Sequence, residues 1–224
     1  MSLSVGRHQE RRIGPALGGS ALGNDDVLDR LHRIYAALDT TFEGDLSKFP
    51  PKVVSNECGF AMYQDFVGGL SPAQLSNLAH SVIHNIANLY DHLRRWMAKN
   101  AQDPKFVDQI VARHPSLQLI RDLSNNDKHG YPPRNGGHSG KAPKLVDVNR
   151  ILKLTTGTAP GSGVMVVFTP QGPKQTATGG AGSAVVVTGT VIDGQSAALG
   201  DLHDIEVEAL KAWEQELRSL GILK

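Results

Sequence analysis

The segment from Ser71 to Lys99 limits the fold more than any other part of this chain. Its large apolar residues recur at intervals of three and four, which aligns them along one side of a long helix. Serine followed by proline is typical of a helix start, because serine caps free N–H groups and proline fits the first turn. This apolar side must be buried against other elements. Its positions are Leu75, Leu78, Val82, Ile86, Leu89, Leu93 and Met97.

The same periodicity predicts further helices, and a change of composition predicts strands. Helices are expected at 25–42, 104–112, 116–129 and 201–220, with the four longest helices packed as one bundle. Residues 148–192 are rich in Val, Ile and Thr and are divided by Gly-rich stretches, which is typical of antiparallel strands. The predicted fold class is therefore mainly α (α+β), a helical bundle with a small antiparallel β insertion before the C-terminal helix. A separate β domain is the alternative.

Composition narrows the classes of protein to which the chain can belong. A net charge of +1 excludes a surface that is basic throughout, so nucleic-acid binding would need a local patch. The single cysteine excludes an intrachain disulfide. No apolar run approaches the ~20 residues that span a membrane, and none resembles a signal peptide. We therefore expect a cytoplasmic protein without membrane contact, with a disordered tail at 1–23 and one domain at 24–224.

Three titratable residues share the polar side of the 71–99 helix. At about 100° per residue, His80, His84 and Asp91 fall within about 40° of one another, opposite the apolar stripe. The two histidines are four residues apart, a spacing that can bind zinc, but Ser81 stands where the HExxH motif has glutamate. Because no third ligand is evident, we predict neither a metal nor another cofactor. This side is either solvated surface or a groove that another helix completes.

A second polar cluster ends the 116–129 helix. Basic residues there suit the negative end of the helix dipole, so helix capping is one interpretation. Two consecutive asparagines are unusual within a helix and favour a polar network with a neighbouring helix. We therefore expect His84 and Asp91 to face Lys128 or His129. The cluster consists of Arg121, Asp122, Asn125, Asn126, Asp127, Lys128 and His129.

Two motifs in these segments resemble those of a group of uncharacterised bacterial helical proteins. Residues 84–93, HNIANLYDHL, are similar to the "HNLRsaLDHL" helix of that group, and residues 125–129, NNDKH, are similar to its "N-x-x-K-H" or "DKH" signature. These proteins resemble the HEPN superfamily of helical bundles, which are often dimeric. Many HEPN proteins are metal-independent ribonucleases of toxin–antitoxin and antiviral systems. Over about 74–130, the resemblance implies a HEPN-like bundle, a homodimer, and RNA or a protein as partner.

The resemblance leaves two functions open. A metal-independent ribonuclease needs imidazoles for proton transfer and cations for the charge on the phosphorane. Candidate catalytic residues of these types are His84, Asp91, Arg121, Lys128 and His129.

The spacing of these residues favours the other function, a non-catalytic binding or dimerisation module in a toxin–antitoxin or defence setting. Seven residues separate Arg121 from His129, more than the HEPN ribonuclease motif contains, and Ala87 stands in place of the arginine of the first signature. In either case, further side chains of the two clusters would contribute to binding. These are His80, Asn125 and Asn126.

Overall fold

The structure, a computed structural model, describes residues 25–56, 59–169 and 171–224. The tail expected at 1–23 lies outside the described residues. No helix in these ranges is long and apolar enough to cross a membrane. The helices are α1 (Asp25–Thr41), α2 (Pro72–Lys99), α3 (Phe106–Arg113), α4 (Pro115–His129) and α5 (Leu202–Ser219).

Local sequence explains where the helices begin. The Ser71 hydroxyl accepts the Gln74 N–H at 3.3 Å, and the Gln74 side chain accepts the Ser71 N–H at 2.8 Å, so a capping box opens α2. The carboxylate of Asp201 likewise caps α5 by accepting the Asp204 N–H at 3.2 Å. All five helices lie within two residues of the ranges predicted from sequence.

One four-stranded antiparallel sheet is built around β7, a run of small and β-branched residues that is buried almost throughout. β4 pairs along one edge of β7, and the short strands β1 and β8 pair with it as well. β2 with β3 and β5 with β6 form two separate hairpins. The strands are β1 (Phe42–Glu43), β2 (Lys52–Asn56), β3 (Gly59–Tyr63), β4 (Lys144–Thr155), β5 (Gly163–Thr169), β6 (Gly172–Thr178), β7 (Gly182–Ile192) and β8 (Ala198–Asp201).

Helices and sheet share one apolar core. All five helices contribute to it, and β7 adds Val187 and Val191. α5 contacts α2, α4 and β7, so the last helix returns to the helices that precede the strands. A small second cluster of Leu46, Phe49 and Val185 lies outside this core.

A charged contact centred on the buried Glu216 attaches α5 to the α3–α4 corner. Glu216 accepts two hydrogen bonds from Arg113, at 2.9 and 3.0 Å, and one from His114 at 2.9 Å. Burial acts to raise the pKa of Glu216, but the bonds from His114 and Arg113 outweigh it and hold this pKa below its ordinary value. Glu216 is therefore ionised and paired at neutral pH.

The predicted fold class, a mainly α helical bundle with a small β insertion, is wrong. The described residues form five helices and eight strands in three sheets, a mixed α+β structure. The strands do not form an insertion confined to 148–192, because β4 to β8 extend from 144 to 201. In addition, β1, which precedes α2, joins the sheet of β4, β7 and β8 by pairing Phe42 with Val186. The HEPN-like helical bundle is therefore not the architecture of this chain.

Candidate functional site

Polar residues of α2 and α4 meet where these helices pack together. Nδ1 of His84 lies 2.8 Å from the Ser124 hydroxyl oxygen, and Nε2 lies 2.8 Å from a carboxylate oxygen of Asp127. Nε2 of His80 lies 3.7 Å from the other oxygen of Asp127. We call these four residues, His80, His84, Ser124 and Asp127, the α2–α4 cluster.

Hydrogen bonding assigns the protons in this cluster. A carboxylate only accepts, so His84 donates from Nε2 to Asp127, and in the neutral tautomer its Nδ1 accepts from Ser124. His80 donates from Nδ1 to the Ser76 carbonyl at 2.8 Å. Ser124, His84 and Asp127 are thus joined by two consecutive hydrogen bonds, but Ser124 is only 2% exposed, so its hydroxyl cannot attack a substrate. These hydrogen bonds link α2 to α4.

Two other candidate residues lie beside the cluster in separate contacts. Lys128 donates to the side-chain oxygen of Asn88 on α2 at 3.3 Å. Asn126 donates to the Pro143 carbonyl at 2.8 Å, just before β4 begins. Each of these bonds joins α4 to a neighbouring segment, as expected of a polar network.

Arg121 takes part in a different contact, between α2, α3 and α4. Its guanidinium carbon lies 3.6 Å from the centroid of the Tyr90 ring, and Nη1 lies 4.0 Å from a carboxylate oxygen of Asp108. Tyr90 donates to Asp108 and accepts from Arg94 at 2.6 Å. This cation–π and ion-pair network holds the guanidinium against the α2 and α3 side chains.

Three candidate residues are not brought into any of these contacts. Asp91 and His129 are exposed, and Asn125 is partly buried. None of the three side chains forms a hydrogen bond or an ion pair in the part of the chain that the structure describes. Among the five candidate catalytic residues, no side chain forms a hydrogen bond or an ion pair with another of the five in the described ranges.

The α2–α4 cluster is poorly suited to cleaving a phosphodiester. Proton transfer requires imidazole nitrogens that face the substrate, but the Nε2 atoms of His80 and His84 both face the carboxylate of Asp127. That negative charge also repels a phosphate.

Across residues 25–56, 59–169 and 171–224, no group of three His, Cys, Asp or Glu side chains is arranged to hold a metal ion.

Asp122 has a role that the sequence did not indicate. It is buried and accepts three hydrogen bonds of 2.7 Å, from the N–H groups of His138 and Ser139 and from the Ser139 hydroxyl. Gly137, with a φ of +79°, comes so close that an added Cβ would lie 2.5 Å from the carboxyl carbon of Asp122. Asp122 therefore fixes the loop between α4 and β4.

A cavity of about 360 Å³ lies between α1 and α5, far along the chain from both motifs. Leu38, Phe42, Val207 and Leu210 form apolar walls. We call it the α1–α5 cavity. An apolar cavity of this size with a few polar groups at its edges is typical of a small-molecule site. Its polar lining residues are Tyr35, Asp39, His203, Lys211 and Glu214.

Two of these polar residues have shifted proton affinities. Burial lowers the pKa of His203, so its imidazole is neutral at pH 7, and its buried Nδ1 has no hydrogen-bond partner among the described residues. Burial, together with the hydrogen bond that Tyr35 donates to Glu214, raises the pKa of the Tyr35 phenol. Shifted pKa values in a cleft are a physical indication of a functional site.

The sequence contains only a weak signal for this cavity. His203, Val207, Leu210, Lys211 and Glu214 recur at intervals of three and four along α5, so they share one side of the helix. That side mixes apolar and charged residues, a pattern also typical of ordinary half-exposed surface. The space depends on how α1 and α5 pack, which no local pattern encodes.

The chain matches no protein-family model, no curated protein and no solved structure. The resemblance of its two motifs to HEPN proteins therefore stays a prediction. Function must be inferred from the geometry of the α2–α4 cluster and of the α1–α5 cavity.

Proposed function

We propose that this chain is a non-catalytic binding module that holds a small molecule with an apolar body in the α1–α5 cavity. The observation that carries the proposal is the cavity itself, a volume of about 360 Å³ with apolar walls and charged groups among its lining residues. In this proposal the α2–α4 cluster stabilises the fold, since its hydrogen bonds join two helices of the core.

The walls of the cavity are held in place by the core behind them. On α1, Leu31 and Ile34 are fully buried, and on α5, Trp213 and Leu217 are. Because these residues anchor both helices, little ordering is needed when a ligand enters, which favours binding.

Ribonuclease activity, the alternative expected from sequence, gains no support from the contacts of the α2–α4 cluster or from those of Arg121. Asp127 lies against both imidazoles, and Arg121 is held by Tyr90 and Asp108. We therefore expect the purified chain to leave RNA intact. Cleavage that His84→Ala abolishes would overturn the proposal.

Ligand-dependent thermal unfolding tests the cavity directly, with 2-phenylethanol as a neutral apolar probe. Burying one phenyl-sized group supports a dissociation constant on the order of 1 mM. At about ten times that constant, binding stabilises by ~1.4 kcal/mol and raises Tm by roughly 3–6 °C.

Variants that fill the cavity provide the control for this measurement. Val207→Trp and Leu38→Trp each place an indole in the cavity and should abolish the rise in Tm. Met165→Trp, at an exposed position on β5, should retain it. If the wild type shows no rise, or if both cavity variants keep it, the proposed site is wrong.

A further inference from the structure

The charged groups around the α1–α5 cavity differ in whether they are already paired. Glu214 accepts hydrogen bonds from Tyr35 and, at 3.3 Å, from Arg218. Asp39 and Lys211 are exposed, and neither side chain forms a hydrogen bond or an ion pair in the described ranges. The cavity therefore presents one unpaired carboxylate and one unpaired ammonium group.

These two unpaired charges belong to opposite walls. Asp39 is on α1 and Lys211 is on α5, with the apolar side chains of Leu38 and Val207 also lining the space. His203 is neutral and adds no charge. A complementary ligand has an apolar body, a positive group for the α1 wall and a negative group for the α5 wall.

We propose that the α1–α5 cavity binds free α-amino acids with large apolar side chains, of which phenylalanine is representative. The ligand's ammonium pairs with Asp39, its carboxylate pairs with Lys211, and its side chain contacts Leu38, Val207 and Leu210. This inference rests on the proposed function, since it names the class of ligand for the same cavity. A single carboxylate or a single amine satisfies only one of the two charges.

Four probes that share a phenyl group separate the contributions of the two charges. Phenylalanine carries both charges, 3-phenylpropanoate lacks the ammonium, 2-phenylethylamine lacks the carboxylate, and 2-phenylethanol carries neither. Dissociation constants are measured by NMR titration of the full chain. We expect phenylalanine to bind most tightly, by about two- to fivefold for each exposed ion pair that it adds.

Variants that remove one charge should weaken the binding of different probes. Asp39→Asn should weaken the binding of phenylalanine and 2-phenylethylamine by about two- to fivefold and leave that of 3-phenylpropanoate unchanged. Lys211→Gln should weaken the binding of phenylalanine and 3-phenylpropanoate and leave that of 2-phenylethylamine unchanged. Asp29→Asn on α1 and Lys174→Gln on β6, exposed residues that do not line the cavity, should bind all four probes as the wild type does.

The outcomes separate this inference from the function on which it rests. If 2-phenylethanol binds as tightly as phenylalanine, or if each variant weakens all four probes equally, amino-acid recognition is overturned while the apolar binding site stands. If none of the four probes binds the wild type, both the ligand class and the binding function are overturned.

Discussion

Replacing the buried Glu206 by glutamine should change how stability depends on pH. The free energy of unfolding of Glu206→Gln, minus that of the wild type, should be larger at neutral pH than at acid pH. Glu206 is 1% exposed, and its Oε1 has no hydrogen-bond partner among the described residues. Burial, and then the negative charge of Asp201, raise the pKa of Glu206 well above its ordinary value. The folded protein therefore keeps this carboxyl protonated at a pH where the unfolded chain ionises it.

The size of the effect follows from proton binding in the two states. In the unfolded chain, glutamate titrates near pH ~4.3, so above that pH the folded state binds one more proton than the unfolded state. The free energy of unfolding then falls by up to about 1.4 kcal/mol per pH unit until the folded-state pKa is reached. Glutamine does not titrate, so Glu206→Gln removes this loss.

Urea unfolding between about pH 5 and pH 8 measures the difference between Glu206→Gln and the wild type. We expect this difference to grow by about 1.4 kcal/mol over a full pH unit, beginning roughly one unit above the unfolded-state pKa. Other titrating groups cancel in the subtraction. Glu208→Gln, an exposed position on the same helix, should show no such growth. A difference for Glu206→Gln that is constant with pH would mean that Glu206 is ionised in the folded protein, contrary to this expectation.

Two further substitutions test contacts that hold the fold together. Glu216→Gln weakens three hydrogen bonds from basic side chains, so we expect the free energy of unfolding to fall by about 1–3 kcal/mol; a fall under about 0.5 kcal/mol would contradict this. Gly137→Ala drives a Cβ against Asp122 at a positive φ and should cost about 1–3 kcal/mol more than Gly140→Ala, which has a similar φ but no neighbour within 4 Å. Equal losses for the two glycines would show that the contact with Asp122 is unimportant.

The helices could be predicted because their signals are local. Leu75, Val82 and Ile86 recur with the helical period, and Ser71 caps the helix as expected. The fold class could not be predicted, because the main sheet pairs Phe42 with Val186 across most of the chain. A two-residue strand is too short to show the alternation of apolar and polar residues that predicts a strand. The prediction of a helical bundle was wrong for that reason.

The candidate site could be predicted only in outline. A polar network between α2 and α4 was expected, and His84 does contact α4, but through Ser124 and Asp127. Asp91 lies two turns beyond His84, and the helix periodicity alone could not show which α4 residues come opposite His84. The α1–α5 cavity had no comparable signal, since it is space left between two helices rather than a pattern within one.

Methyl NMR of the full chain during titration with 2-phenylethanol shows where the ligand binds. It therefore tests whether the α1–α5 cavity is the binding site and the α2–α4 cluster is structural. We predict saturable shifts of the methyl signals of Leu38, Val207 and Leu210, with the signals of Val82 and Ile86 on α2 unchanged. Saturable shifts confined to α2 and α4, or none at all, would contradict this expectation.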